Sequence, residues 1–118
     1  MWQVMRSALA VQKARNMTEP HLPRMRPNEA FYLATSGGAR ALGKSASIGS
    51  LDVGKEADLL VVDLPALLPY GKTGPGLDDL SPEDILALCI YRGGAHATLE
   101  TYVRGKCVYR APGYGDLE

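Results

Sequence analysis

The sequence predicts an α+β fold, because a helical first part is followed by a part that combines strands with one helix. Apolar residues recur at helical spacing over residues 2–16. A nearly continuous apolar run at 57–64 is typical of a buried strand, and the pattern at 98–110 is typical of a β-hairpin. With 118 residues the chain holds at most one domain, which we divide into segments 1–46 and 47–118.

The first helix is predicted to be amphipathic. Trp2, Met5 and Leu9 share one face, and we expect that stripe to be packing surface rather than a cofactor site. Three prolines between Asn16 and Pro27 indicate a loop.

A second helix is predicted to begin at Pro27, because proline suits the first helical position and Glu29 favours the first turn. It should run through Thr35 and meet Gly37-Gly38. A short helix over 39–42 should follow and end at Gly43.

The second part begins with a turn at 52–55 and a strand over 57–64 that we expect to be buried on both faces. Prolines and glycines predict an inserted loop at 65–80, and loops this long are usually functional or mobile. Ser81 then predicts a helix cap for an inserted helix at 82–92. The hairpin should turn at 104–106, and the tail from Pro112 should be frayed.

Composition excludes several classes of partner. Thirteen basic and thirteen acidic residues give zero net charge, and no charged block indicates nucleic-acid or anionic-membrane binding. Apolar runs fall far short of the ~20 residues that span a bilayer, and the amino terminus lacks the pattern of a signal peptide. Cys89 and Cys107 are expected to be reduced thiols in or near a core, which favours a cytoplasmic protein.

The most specific motif is the glycine-rich turn and apolar strand that end in Asp63. It contains Ile48-Gly49-Ser50, Val53-Gly54-Lys55-Glu56-Ala57-Asp58 and the strand itself. This motif resembles a signature near the carboxyl end of the amidohydrolase superfamily. Three further features resemble the guanine deaminases in particular: the helix Phe31-Tyr32-Leu33-Ala34-Thr35, the opening Met1-Trp2-Gln3, and the ending from Arg92 to Tyr109.

The resemblance implies an architecture for the complete enzyme. Such enzymes have a (β/α)₈ barrel with the active site at the carboxyl ends of its strands, and a composite β-sandwich. Segment 1–46 would then hold the last barrel helix and the helices that follow, and 47–118 the carboxyl-terminal strands of the sandwich. The helix stripe would face a barrel strand that this chain lacks, and the strands would pair with amino-terminal strands. We therefore expect the chain alone to self-associate or to be poorly stable.

The resemblance also implies a metal hydrolase, in which zinc-bound hydroxide attacks guanine and releases xanthine and ammonia. The family's ligands are a His-x-His pair, two further histidines and an aspartate, and none matches a position here. His21 and His96 are isolated, and we interpret both as solvated loop histidines. The sequence therefore predicts no catalytic, metal-binding or cofactor-binding residue in this chain.

The remaining polar motifs have structural interpretations. The pair Asp78-Asp79 resembles paired carboxylates, whereas Glu83-Asp84 is explained by a helix start. Asp58 and Asp63 are expected to be structural residues at strand ends. The pairs Gly37-Gly38 and Gly93-Gly94 lack phosphate-loop spacing, and each cysteine is expected to be a small buried apolar residue rather than a nucleophile.

Three functional hypotheses follow. In the first, the chain is the structural carboxyl-terminal part of a guanine deaminase-like enzyme, inactive alone, with the missing amino-terminal portion or a second copy as its partner and a homo-oligomer as the assembly. The second is a free-standing, non-catalytic α+β binding or assembly module. The third keeps the superfamily but replaces guanine with another aminated or chlorinated heterocycle. An upstream His-x-His in the reading frame would favour the first hypothesis over the second.

Overall fold

The computed structural model describes residues 1–69 and 79–115, and in these ranges it is a small α+β structure with one three-stranded sheet. Three helices come first, and the three strands follow with a fourth helix between the first and the second strand, as predicted. The helices are α1 (Trp2–Thr18), α2 (Pro27–Tyr32), α3 (Gly38–Ala41) and α4 (Pro82–Arg92), and the strands are β1 (Leu59–Val62), β2 (Thr98–Val103) and β3 (Lys106–Arg110).

The first helix is covered from within this chain. Met5 and Leu9 are buried in a cluster with Ala30 of α2 and Ile90 of α4, so the prediction of a packing stripe is confirmed. The expectation that the stripe faces an absent strand is wrong, because α2 and α4 supply its partners. The opposite face of α1 instead exposes apolar side chains, among them Val4 and Val11 at 67% and 68%.

The second helix begins at Pro27 as predicted, and the carboxylate of Glu29 accepts the Arg26 backbone amide at 2.7 Å. The expected interruption at Gly37-Gly38 is wrong. A π-helical turn over Leu33–Gly37 leads directly into α3, because both glycines keep right-handed helical torsions, with φ of −65° and −62°. The helical stretch ends before Gly43, whose φ of +67° suits glycine at a helix end.

The sheet is antiparallel throughout, with β2 between β1 and β3. The predicted strand at 57–64 is shorter than expected, since only Leu59–Val62 forms β1. The expectation of burial on both faces is wrong in this chain, because Leu60 is 39% exposed. The sequence of β1 is apolar throughout, but among the described residues only one face of the strand is covered.

The predicted hairpin is confirmed, with a tighter turn than expected. Arg104 and Gly105 have φ of 51° and 76°, which is the pattern of a two-residue turn with two left-handed positions. Lys106 is already the first residue of β3. Of the tail, 112–115 are described, and 116–118 lie outside the described residues.

The inserted segment is partly ordered around a second core. Pro65–Leu67 forms a 3₁₀ turn, and Leu67 is fully buried beside Cys89 and Ala97. The rest of the predicted loop at 65–80 falls largely on residues 70–78, which lie outside the described residues. Helix α4 then starts at Pro82 with Ser81 as its cap, as predicted. No helix in the described part of the chain is long and apolar enough to cross a membrane.

Candidate functional site

The two histidines lie at separate exposed positions. His21 is in the turn that follows α1, and His96 is in a 3₁₀ turn, Ala95–Ala97, between α4 and β2. Within residues 1–69 and 79–115, no group of three or more His, Cys, Asp or Glu residues is arranged to hold a metal ion. That this chain supplies no catalytic, cofactor-binding or metal-ligating residue stays a prediction.

The acidic pair at the start of α4 has the structural role that the sequence predicts. The Asp84 carboxylate accepts the Ser81 hydroxyl at 2.6 Å and the Ser81 amide at 3.1 Å, while Ser81 Oγ accepts the Asp84 amide at 3.2 Å. The hydrogen bonds from Ser81 hold the pKa of Asp84 below its usual value of 3.8. Glu83 and Asp79 are exposed nearby, and Asp78 lies outside the described residues.

Asp58 and Asp63 flank β1. The Asp58 carboxylate accepts the backbone amide of Arg104 at 2.8 Å, which ties the strand end to the hairpin turn. The backbone amide of Asp63 donates to the Ala97 carbonyl at 2.8 Å. The Asp58 contact agrees with the prediction of a structural residue at a strand end. The Asp63 contact involves only its backbone, so a structural role for the Asp63 carboxylate stays a prediction.

The cysteines are free thiols in different environments. Cys89 is buried in the second core, and burial raises the pKa of its thiol, which disfavours the nucleophilic thiolate. Cys107 is half-buried on β3, and its sulfur lies 3.2 Å from the Tyr109 carbonyl oxygen, to which the thiol donates. Neither has the adjacent base that a cysteine nucleophile requires among the described side chains.

The Gly93-Gly94 pair serves packing. A Cβ at Gly93 would lie 2.1 Å from the Cys89 carbonyl oxygen and 3.1 Å from the Trp2 ring. Arg6 crosses from α1 and donates to the Gly93 and Ile90 carbonyls, both at 3.1 Å. Glycine is needed here because a side chain would collide with the Cys89 carbonyl of α4 itself and would also press on the Trp2 ring of α1.

Among the described residues, the most buried charged group lies on the sheet, and its burial was not predicted from the sequence. Glu100 of β2 is 9% exposed, and its carboxylate accepts Arg110 Nε at 2.8 Å and the Tyr102 hydroxyl at 2.9 Å. The hydrogen bond to Glu100 raises the pKa of Tyr102, and the same carboxylate raises the pKa of Arg110. The sequence signal for this contact was a single acidic residue within a predicted strand. Such a residue needs a hydrogen-bonding or charged partner when it is buried.

A second polar group lies in the glycine-rich turn. The Ser50 hydroxyl is 2.5 Å from the Asp52 carboxylate, and Lys55 Nζ lies 2.6 Å from Ser50 Oγ and 3.3 Å from Asp52. The Ser50 hydrogen bond, followed by Lys55, lowers the pKa of Asp52. These contacts close the turn on itself, so they order the motif rather than form an open site.

Comparisons with known proteins give matches over most of this chain. The model of the amidohydrolase family matches residues 1–108. Guanine deaminase of Escherichia coli K12 is 38% identical over 86 residues, which are 73% of this chain and 19% of that protein. Guanine deaminase of Mus musculus is 34% identical over 113 residues, which are 92% of this chain and 24% of that protein.

Solved structures agree with the sequence relatives. The E. coli guanine deaminase structure matches with a TM-score of 0.75 and 33% identity over 92% of this chain and 23% of that chain. An adenosine deaminase from Xanthomonas campestris with bound zinc matches with a TM-score of 0.63 and 34% identity over 87% of this chain and 20% of that chain. The present chain thus spans about a fifth to a quarter of the length of these proteins. This chain belongs to the amidohydrolase family.

Proposed function

We propose that this chain is a structural, carboxyl-terminal part of a guanine deaminase-like amidohydrolase. The complete enzyme would convert guanine and water into xanthine and ammonia. Segment 1–46 would provide the last barrel helix and the helices after it, and segment 47–118 would provide sandwich strands with an inserted loop and helix.

The observation that carries the proposal is the match to E. coli guanine deaminase, which extends over 92% of this chain with a TM-score of 0.75. Guanine deaminases from bacterial and mammalian sources recur among the sequence relatives. This chain matches only a small part of the length of those relatives, which supports a role as one part of a larger catalytic unit.

The distribution of apolar surface supports a scaffolding role. One face of α1 is used inside this chain, while Val4 and Val11 on the opposite face are exposed. One face of the sheet likewise has exposed apolar side chains. Leu60 and Tyr109 lie on either side of Thr101 in neighbouring strands, and they are 39% and 44% exposed. Exposed apolar side chains that share one face of an element are typical of surfaces that another element covers. We propose the amino-terminal barrel portion as that cover, within a homo-oligomeric enzyme.

The family's metal does not fit the residues described here. A hydrolytic zinc site needs about three His, Cys, Asp or Glu ligands and an open position for water. The two exposed histidines are in different turns, and the carboxylates of Asp84, Asp58 and Glu100 form a capping, a turn and a sheet contact, respectively. We therefore assign no catalytic step to them and propose that the zinc ligands and substrate-reading groups lie elsewhere in the complete enzyme. Its cytoplasmic location is a further proposal, which the free thiols support.

A second substrate class has a specific observation in its favour. A 5-methylthioadenosine/S-adenosylhomocysteine deaminase of Syntrophobacter fumaroxidans is 59% identical over 39 residues, 31% of this chain and 9% of that protein. Another such deaminase, from Moorella thermoacetica, is 36% identical over 81 residues, 67% of this chain and 16% of that protein. An aminated purine other than guanine is therefore the alternative substrate.

The test is purification of the polypeptide that carries this sequence from its native source, followed by measurement of its mass, metal content and ammonia release. We expect a chain about four times as long, with zinc, that releases ammonia from guanine faster than from 5-methylthioadenosine. The reverse preference would establish the alternative substrate. A free 118-residue product without ammonia release would instead favour a non-catalytic binding or assembly module.

The 118-residue chain is the matched control in the same assay, with and without added zinc. We expect no ammonia above the blank, since the groups proposed for chemistry are not among its described residues. Metal-dependent turnover by the purified chain would overturn the proposed structural role.

A further inference from the structure

The outward side of α4 carries an apolar groove. On the other side of the helix, Cys89 and Ile90 are buried in the two cores. The groove residues recur three or four positions apart, so they share one face of the helix; they are Leu80, Asp84, Ala87, Leu88, Tyr91 and Arg92. Because Tyr91 is 42% exposed, this face is open to solvent in the part of the chain that the structure describes.

The two ends of this groove carry opposite charges. Asp79 and Glu83 are exposed at the end where α4 begins. At the other end, Arg92 Nε donates to a backbone carbonyl at 2.6 Å, and Lys13 Nζ lies 5.7 Å from the centre of the Tyr91 ring. The dipole of α4 favours this order of charges along the helix, but it does not account for Lys13, which belongs to α1.

An acidic end, an apolar middle and a basic end make this groove complementary to itself. Two-fold symmetry places the same surface of both copies in contact. When two α4 helices pack antiparallel, the acidic end of each lies against the basic end of the other. Ala87 lies near the middle of the groove, and its small side chain allows the helices to approach closely. Parallel packing would instead oppose like charges, so the charges favour the antiparallel pair.

We infer that the groove on α4 is a contact between two copies of this chain, in which their α4 helices pack antiparallel across a two-fold axis. The contact would belong to the homo-oligomer proposed above, and in that respect the inference rests on the proposed function. A helix of 11 residues is about 16 Å long, so two α4 helices alone bury less than the roughly 1,200 Å² of a stable interface. We therefore expect weak, reversible association of the 118-residue chain.

The test reverses the charges at one end of the groove at a time. The double-lysine variant combines Asp79→Lys with Glu83→Lys, and the double-glutamate variant combines Lys13→Glu with Arg92→Glu. Each variant alone opposes like charges twice across the two-fold axis, so sedimentation equilibrium should show association at least about tenfold weaker than in the unmodified chain. In an equal mixture both contacts become attractive again. We expect native mass spectrometry of the mixture to detect mainly heterodimers, with association within about threefold of the unmodified chain.

A third variant tests the apolar middle of the groove. Ala87→Arg places a charge from each copy at the centre of the contact, so we expect association to weaken by at least about tenfold. The stability of the diluted monomer to urea should not change, because the side chain points outward. Ala46→Arg, at an exposed position in the turn after α3, is the matched control and should change neither quantity. If Arg92→Glu disrupts the fold in circular dichroism, the double-lysine variant and Ala87→Arg decide the question.

Several outcomes would overturn the inference. An unmodified chain that stays monomeric at every concentration would refute the contact. Variants that associate as strongly as the unmodified chain, or a mixture with only the statistical share of heterodimers, would place the association on another surface. A clear loss of monomer stability in Ala87→Arg would mean that the chain itself fills the groove. None of these measurements uses ammonia release, so failure of the contact is distinguishable from failure of the proposed enzyme activity.

Discussion

Arg6 joins the first helix to Gly93 at the end of the last one. Its Nη2 lies 3.1 Å from the Gly93 carbonyl oxygen, and its Nε lies 3.1 Å from that of Ile90. The carbonyls at a helix end lack partners within the helix and carry its negative dipole end. The guanidinium therefore provides hydrogen bonds and a favourable charge at the point where α1 and α4 meet.

Replacing Arg6 should separate these helices. Arg6→Met keeps most of the side chain's packing but removes both hydrogen bonds, so we expect the free energy of unfolding to fall by about 2 kcal/mol. Urea denaturation of the chain followed by circular dichroism measures it. The exposed Arg24→Met is the control and should change stability by less than about 0.5 kcal/mol. Equal effects of the two variants would contradict the proposed role of Arg6.

A side chain at Gly93 should be poorly tolerated. A Cβ there would lie 2.1 Å from the Cys89 carbonyl, and backbone cannot yield as a flexible side chain does. We expect Gly93→Ala to cost about 3 kcal/mol, measured by the same denaturation. At Gly94 the nearest atom is 3.2 Å away and belongs to the exposed His96 side chain, so Gly94→Ala should cost much less. A Gly93→Ala protein as stable as the Gly94→Ala protein would show that the end of α4 can move.

Local signals predicted the elements that depend on local chemistry. Ser81 and Pro82 marked the start of α4, and the glycine-containing turn marked the hairpin, because caps and turns are formed by neighbouring residues. The partner of the α1 stripe could not be predicted in this way. Met5 packs against Ile90, which is 85 residues away, and helical periodicity identifies a buried face without identifying what covers it.

Polar groups whose role depends on pairing across the sheet could not be predicted from the sequence either. Glu100 is separated from Arg110 by a hairpin whose bulge sets the register, and a one-residue change in that register would move the two side chains to opposite faces. For Leu60 the prediction from the sequence was burial, because its strand is apolar throughout. The described residues cover only one face of that strand, so Leu60 is exposed.

The carboxylate of Glu100 should matter more than that of a comparable exposed pair. Glu100→Gln removes the charge that binds Arg110 and Tyr102, whereas Glu56→Gln weakens an equally short pair with Arg104 at the surface. Exposed pairs contribute at most about 1 kcal/mol, so the loss in unfolding free energy for Glu100→Gln should be at least about twice that for Glu56→Gln. Urea denaturation at pH 7 compares the two variants. Equal losses would show that burial of Glu100 adds nothing.

Tyr102 provides a second measurement of the same contact. Its pKa is raised from 10.0, first by the hydrogen bond to Glu100, so its protonated form is favoured in the folded state. That contribution to stability is present below pH 10 and is lost as the pH rises through the folded-state pKa. In Glu100→Gln the pKa should fall towards 10. Ultraviolet titration of the tyrosinates detects the change, and an unchanged curve would refute the contact.

The cap of α4 should produce an acid-dependent loss of stability. Ser81→Ala removes the hydroxyl that binds Asp84, and loss of such a cap typically costs about 1 kcal/mol. Because the folded-state pKa of Asp84 lies below 3.8, its contribution is present above pH 4 and is lost as the pH falls through that lowered pKa. Denaturation at pH 7 and pH 3 should therefore show a smaller difference between Ser81→Ala and the unmodified chain at pH 3. A difference that does not depend on pH would exclude Asp84 from the cap.

The exposed face of α1 distinguishes an isolated domain from a part of a larger enzyme. Val11 is 68% exposed, so Val11→Glu should change the unfolding free energy of the 118-residue chain by less than about 0.5 kcal/mol. In the complete enzyme the same change would bury a carboxylate against the barrel and should sharply lower the yield of folded protein. Ala10→Glu, at an exposed position of α1 that lies outside the face shared by Val4 and Val11, is the control. Size-exclusion chromatography with denaturation measures both proteins, and a fully folded Val11→Glu enzyme would show that this face stays in solvent.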